Sequence, residues 1–177
     1  MAAGLGRLIV RGVAGGLMAG HGAQKLFGSF DGPGLEGVTG MMRGMKLEPA
    51  QHWARLAGAS EFGGGLLTAL GFMHPAGPLA TIGAMSMASR TMHWGKPIWN
   101  ASGGAELPVL FMAIAAEQIV SGPGPIALDT ILRSRLPGWT VPVGLAVTAG
   151  AVYYAVEQSK KADSEIPPTD AAEASES

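Results

Sequence analysis

Apolar stretches of helical length alternate with short glycine- and proline-rich segments along the whole chain, and no strand is apparent. The first stretch, Arg7 to Gly28, reads RLIVRGVAGGLMAGHGAQKLFG. It is long enough to cross a bilayer, yet it carries Arg7, Arg11, His21 and Lys25. At about 100° per residue these four fall within about 40° of one line down a helix, and Gly12, Gly16 and Gly20 fall on the opposite side. The pattern predicts a helix at the centre of a bundle. Its charged side should face ionisable groups on other helices, and its glycine face should touch a neighbouring backbone.

The next segment, SFDGPGLEGVTGMMRGMKLEP, is too polar to span. Leu35, Val38, Met41, Met42 and Met45 share one side, with Glu36 and Arg43 pointing away. That suits either a short helix at a membrane interface or a structured loop packed on the bundle. Pro49 fits the first turn of a second helix running to about Met73. Glu61 is its one deep acid, with Ala54, Ala57, Gly64, Gly65 and Thr68 near the same side. After the turn HPAGP, a third helix runs from about Pro78 and meets charge late, at Arg90 and His93. WGKPIWNASGG breaks it, and Ser102 is placed to cap a fourth helix through ELPVLFMAIAAEQIV, on which Glu106 and Glu117 share a face.

A loop and a short amphipathic stretch with Asp129, Arg133 and Arg135 on its polar side lead to Leu136–Val156, which holds no charge at all. At about 20 residues it is the cleanest membrane-spanning signal in the chain. The rest is acidic, poor in apolar residues and reads as a disordered tail. Trp53, Trp94, Trp99 and Trp139 all sit at segment ends, and Tyr153 and Tyr154 close the fifth stretch, as interfacial aromatic residues do.

These patterns predict an all-α transmembrane helical bundle: a four-helix membrane domain over residues 1–130, a fifth C-terminal transmembrane helix over 131–157, and a disordered acidic tail over 158–177. The expected location is a multi-pass position in the cell membrane, with the lipid bilayer as partner. The distribution of Lys and Arg would place the tail in the cytoplasm. The first twenty residues show no convincing cleavage site, so the N-terminus is read as retained.

Composition sharpens this. Of 177 residues, 28 are Gly and only 14% are charged, with a formal net charge of −1, less charge than a soluble domain of this length usually carries. The mean hydropathy of +0.27 averages apolar stretches with a polar tail. The near-neutral charge and lack of a broad basic surface argue against nucleic acid as a partner. With no cysteine, thiol redox chemistry and thiolate metal sites are excluded, so electrons would need another carrier.

Charged residues within apolar helices are usually paired and turned inward. Arg11, Lys25 and Arg90 can offset Glu61 and Glu106, with His21, Gln24, His93 and Asn100 as hydrogen-bond partners. Such pairs serve either helix register or a ligand pathway, and their number in a small bundle exceeds what register needs. The His and Glu residues lack the i, i+3 or i, i+4 spacing of metal ligands, so no metal is assigned. No nucleophile arrangement or phosphate loop is evident, so no catalytic residue is assigned either.

Arg11, the run HGxQKLFG from His21 to Gly28, FDGPGLEG, a lone helix Glu61 before GGG, GGAEL around Glu106, and GPGPIALD ending at Asp129 together resemble the DoxX family of small bacterial membrane proteins. The similarity runs over about residues 7–130, and Ala127 stands where a serine is common. The resemblance implies a four-helix membrane core and marks Arg11, His21, Gln24, Lys25, Glu61, Glu106 and Asp129 as family-like. Arg90, His93 and Asn100 rest on the pattern of residues alone. It further implies a membrane subunit of an oxidoreductase system in redox or detoxification metabolism, with a quinone as the cofactor to consider and soluble redox enzymes as partners. The alternative is a non-enzymatic scaffold that docks such enzymes through the acidic tail, or a carrier of a small solute. Reaction, substrate, electron donor and oligomeric state are not encoded in any recognisable motif.

Overall fold

A computed structural model describes residues 2–164. Among them are seven α-helices and no strand: α1 (Ala2–Phe27), α2 (Gly34–Gly44), α3 (Ala50–Leu70), α4 (Ala76–Thr91), α5 (Glu106–Ser121), α6 (Leu128–Leu132) and α7 (Thr140–Ser164). The breaks fall at the glycine- and proline-rich segments. Gly71, at φ 62°, ends α3, where its own N–H and that of Phe72 bond back to the Thr68 and Leu67 carbonyls. Glycine favours this left-handed cap because it has no Cβ to strain. The segment after α1 forms a real helix, α2, which packs on α3 and buries Val38, Thr39 and Met42. Ser102 lies in a short 3-10 turn and does not cap α5, which begins at Glu106.

The centre of the molecule is α3, not α1: α1, α2 and α4 all pack against it. The α1–α3 contact is backbone to backbone. A Cβ on Gly15 would lie 2.6 Å from the Gly65 carbonyl, and one on Gly22 would run into the backbone of Phe62. Gly64, the next residue on α3, faces Ala80 and Gly77 of α4 instead. Gly12, Gly16 and Gly20, expected at a helix contact, meet nothing within 4 Å. The buried face of α1 is set by the small residues that permit close approach, and its middle lies roughly 60° round from the charged line. Arg11 falls inside that face and His21 outside it. On the far side Leu5, Ile9, Val13 and Leu17 form an outward stripe, 53%, 56%, 59% and 56% exposed.

The expected four-helix transmembrane core plus a fifth span, and with it the multi-pass location, is overturned by the helices themselves. Among the described residues only α7 is both long and apolar enough to cross a membrane. α4 and α5 have 16 residues each, about 24 Å of helix, against a hydrocarbon core of about 30 Å. α1 and α3 have the length, but Arg7, Arg11 and Lys25 in one, and Arg55 and Glu61 in the other, interrupt glycine-rich runs.

α7 is integrated with the rest. It packs on α4, and its Ala155 is buried with Val38, Met42, Leu47, Ala50 and Ala54. Tyr154 stacks on Trp53 with ring centroids 6.2 Å apart. At its C-terminal end Lys46 pairs with Asp163, and the Glu48 N–H donates to Gln158 Oε1 at 3.0 Å. The helix continues to Ser164, past the expected start of the acidic tail. The remainder of that tail, 165–177, lies outside the described residues.

Candidate functional site

Glu61 sits midway along α3, where the small residues on both sides let α1 and α4 close over it, and it is 2% exposed. Lys25, in the last turn of α1, donates to its Oε1. Its other oxygen, Oε2, is buried with no hydrogen-bond partner. Leaving a buried acceptor unsatisfied costs about 1–3 kcal/mol, and more when it is charged, so the arrangement calls for an explanation.

The space beside the pair supplies one. A cavity of about 220 Å³ opens there. Met42, Met45 and Leu47 bound it from α2 and the loop after it, Trp53, Ala57 and Ser60 from α3, Gly83, Ala84 and Ala88 from α4, and Thr148, Ala151 and Val152 from α7. The volume exists because α4 and α7 present small residues to each other at these positions. It exceeds the roughly 150 Å³ in which a dry apolar cavity takes up benzene. The walls are apolar, with Lys25 and Glu61 supplying its charge. Such a chamber suits a ring-sized apolar molecule carrying an oxygen that can donate to Glu61 Oε2 or accept from Lys25.

A second buried polar cluster lies at the other end of α1 and is built differently. The Arg11 guanidinium, 3% exposed, donates to the carbonyls of Ala69 in the last turn of α3 and of Ile126 in the loop before α6. Asp129, 7% exposed, accepts from the Met73 and His74 N–H groups at 2.8 Å each and from the Ser134 hydroxyl at 2.7 Å. The Asp129 N–H donates to the Gly71 carbonyl at 3.0 Å. A Cβ on Gly71 would meet that of Ala127 at 2.7 Å and Arg11 Nη1 at 2.8 Å, so glycine and alanine at these positions let the loop and the arginine dock. Burial, and then the Arg135 charge, lower the pKa of His74, opposed by Asp129 and a hydrogen bond to the Ile119 backbone. Together these contacts tie α1, the α3–α4 turn and the α5–α6 loop into a knot.

The expected polar residues therefore do not form one core. Lys25 and Glu61 come together, whereas Arg11 and Asp129 each bond to backbone in the knot. His21 is exposed on the outward stripe, its ring edge-on to Phe111 at 6.5 Å. Gln24 backs the FDGPG loop, where a Cβ on Gly32 would reach its backbone at 2.7 Å. Arg90 lies over the Trp94 ring, 4.5 Å from its centroid. His93 Nδ1 is 2.7 Å from the Gly103 carbonyl, and Glu106, exposed, accepts from the Asn100 N–H at 2.8 Å. These last four shape the α4–α5 loop and do not reach Glu61. Sequence reasoning missed Trp53, Ser60, Thr148, Ala151 and the methionines of the chamber wall. The available signal was the pair of small-residue stripes, Ala80–Gly83–Ala84–Ala88 and Gly144–Thr148–Ala151, on two helices.

The family model for DoxX matches residues 6–94, half of the chain, which includes Arg11, Lys25 and Glu61 and stops before Asp129 and α7. No curated protein and no solved structure matches the chain.

Proposed function

We propose that this chain, which belongs to the DoxX family, is a membrane-associated member of an oxidoreductase system that holds a quinone-type ring in the chamber beside Lys25 and Glu61. The observation that carries this reading is the buried, unpartnered Glu61 Oε2 at the edge of an apolar cavity. The donor set fits such a ring. Lys25 is placed to donate to a ring carbonyl, and Glu61 Oε2 to accept from a ring hydroxyl or to hold its proton. A quinone bound there would supply the electron couple that a chain without cysteine does not. Membrane association is supported by α7, apolar and long enough to span, and by the outward stripe of Leu5, Ile9, Val13 and Leu17. The docking alternative drew on the acidic tail, most of which lies outside the described residues.

The test is a titration of the purified full chain with a short-chain ubiquinone, followed by quenching of tryptophan fluorescence, since Trp53 lines the chamber. Naphthalene, an aromatic hydrocarbon of bulk comparable to the substituted quinone head group and without oxygen, serves as reference. The quinone is expected to bind at least about tenfold more tightly than naphthalene, a difference of about 1.4 kcal/mol. Equal affinities, or no saturable quenching, would refute the assignment.

A further inference from the structure

A second cavity lies at the opposite end of α1, about 27 Å along the helix from Lys25, and the proposed function makes no use of it. It is polar, about 300 Å³ in volume, and lined by Arg7, the Ser121–Pro125 loop, Asp129, Thr130 and Arg135. Neither arginine forms an ion pair among the described residues. The loop is shaped around them. Gly122 and Gly124 hold φ of 74° and 84°. A Cβ on Gly122 would stand 2.6 Å from Arg135 Nη2, and one on Gly124 would stand 3.2 Å from the Arg7 side chain. Two glycines, with Pro123 between them, thus lay two guanidinium-bearing side chains across one short stretch of backbone. The acid in the lining, Asp129, is already engaged by three donors. With the Asp129 carboxylate in the same lining, the two guanidinium groups still leave the cavity net positive, and an anion neutralises that excess. Guanidinium forks match the oxygens of a phosphate group.

The surroundings say what the anion should be attached to. Ile126, Ile131, Leu132 and Trp139, from the same loop, α6 and the approach to α7, are 53%, 76%, 58% and 65% exposed. A charged pocket whose lining loop and α6 also expose apolar side chains suits an amphiphile better than a free ion. We infer that Arg7 and Arg135 bind the phosphate of an anionic phospholipid head group, with its acyl chains against Ile126, Ile131 and Leu132. The site is independent of the chamber, so either can fail alone.

The test uses the full chain in a neutral detergent, titrated calorimetrically with dihexanoyl-phosphatidylglycerol. R7Q/R135Q is expected to weaken binding at least about tenfold, while K160Q/K161Q, which removes the same charge from α7, keeps the wild-type affinity. Equal weakening by both pairs, or no weakening by R7Q/R135Q, overturns the proposal. Inorganic phosphate binding as tightly as the lipid assigns the pocket to free phosphate and overturns the lipid head group. If R7Q/R135Q does not fold, R7Q alone, changing an exposed residue, is read against K160Q. A loss of about threefold or more is then expected, and no loss overturns the site.

Discussion

Glu61 and Asp129 are both acids almost wholly removed from water, 2% and 7% exposed, but their surroundings differ. Asp129 receives two backbone N–H groups and a hydroxyl. Glu61 has one ammonium on one oxygen, no protein partner on the other, and an apolar cavity beside it. A buried charge with every bond made locks the fold, whereas one left half-satisfied keeps an oxygen free to accept a further hydrogen bond. The same element, α1, supplies a cation to each neighbourhood: Arg11, whose Nη atoms donate to two carbonyls while its Nε stays unpartnered, near Asp129, and Lys25 to Glu61.

The difference is sharpest under substitution. Asp129→Ala strips partners from two buried N–H groups at the α3–α4 turn and loosens the α6 junction, and should destabilise the protein by about 3–5 kcal/mol in denaturant unfolding. The quinone affinity of the molecules that remain folded should be unchanged. Next in size, Lys25→Met leaves Glu61 as a buried charge without a counter-ion, at a cost of about 3 kcal/mol. Adding Glu61→Leu in the same chain should recover all but about 1 kcal/mol, because the pair is then replaced by apolar groups. A double variant no more stable than Lys25→Met would mean that the Glu61 site is structural after all. Ala151→Leu, which adds bulk to the chamber from α7, should abolish quinone binding while moving stability by only about 1 kcal/mol.

The smallest effect concerns pH and belongs to the knot. His74 has a lowered pKa when folded, first from burial and then from Arg135, so the unfolded chain binds more protons in the window between the folded value and the ordinary one near 6.5. Its contribution is fully present above about pH 6.5 and is lost as pH falls through that window. His74→Gln should flatten this part of the stability profile, and an unchanged slope would remove His74 as its source.

The helices were largely legible in the sequence. Periodic apolar runs bounded by HPAGP, WGKPIWNASGG and SGPGP mark α3, α4, α5 and α7, because glycine and proline disrupt helices whatever the tertiary setting. The facing of α1 was not legible. Its charged line points to one side, but Gly15, Ala19 and Gly22 set the buried one, because there the backbones of α1 and α3 meet. The Lys25–Glu61 pair was one of several the chain allowed. Arg11 and Glu106 instead found backbone partners, which every residue offers and no sequence pattern singles out. The expected spans fail for a similar reason: runs of small residues that look like spans are, in α3 and α4, surfaces for close packing, and 16-residue helices are short for a bilayer.

The most direct measurement is the ratio of ubiquinone to naphthalene affinity in the wild-type chain and in Glu61→Leu. The Glu61 site predicts a ratio of about ten or more that falls to near one in the variant, with naphthalene still bound because the apolar walls remain. A ratio unchanged by the substitution would contradict it, since the unpartnered oxygen would then play no part in what the chamber holds.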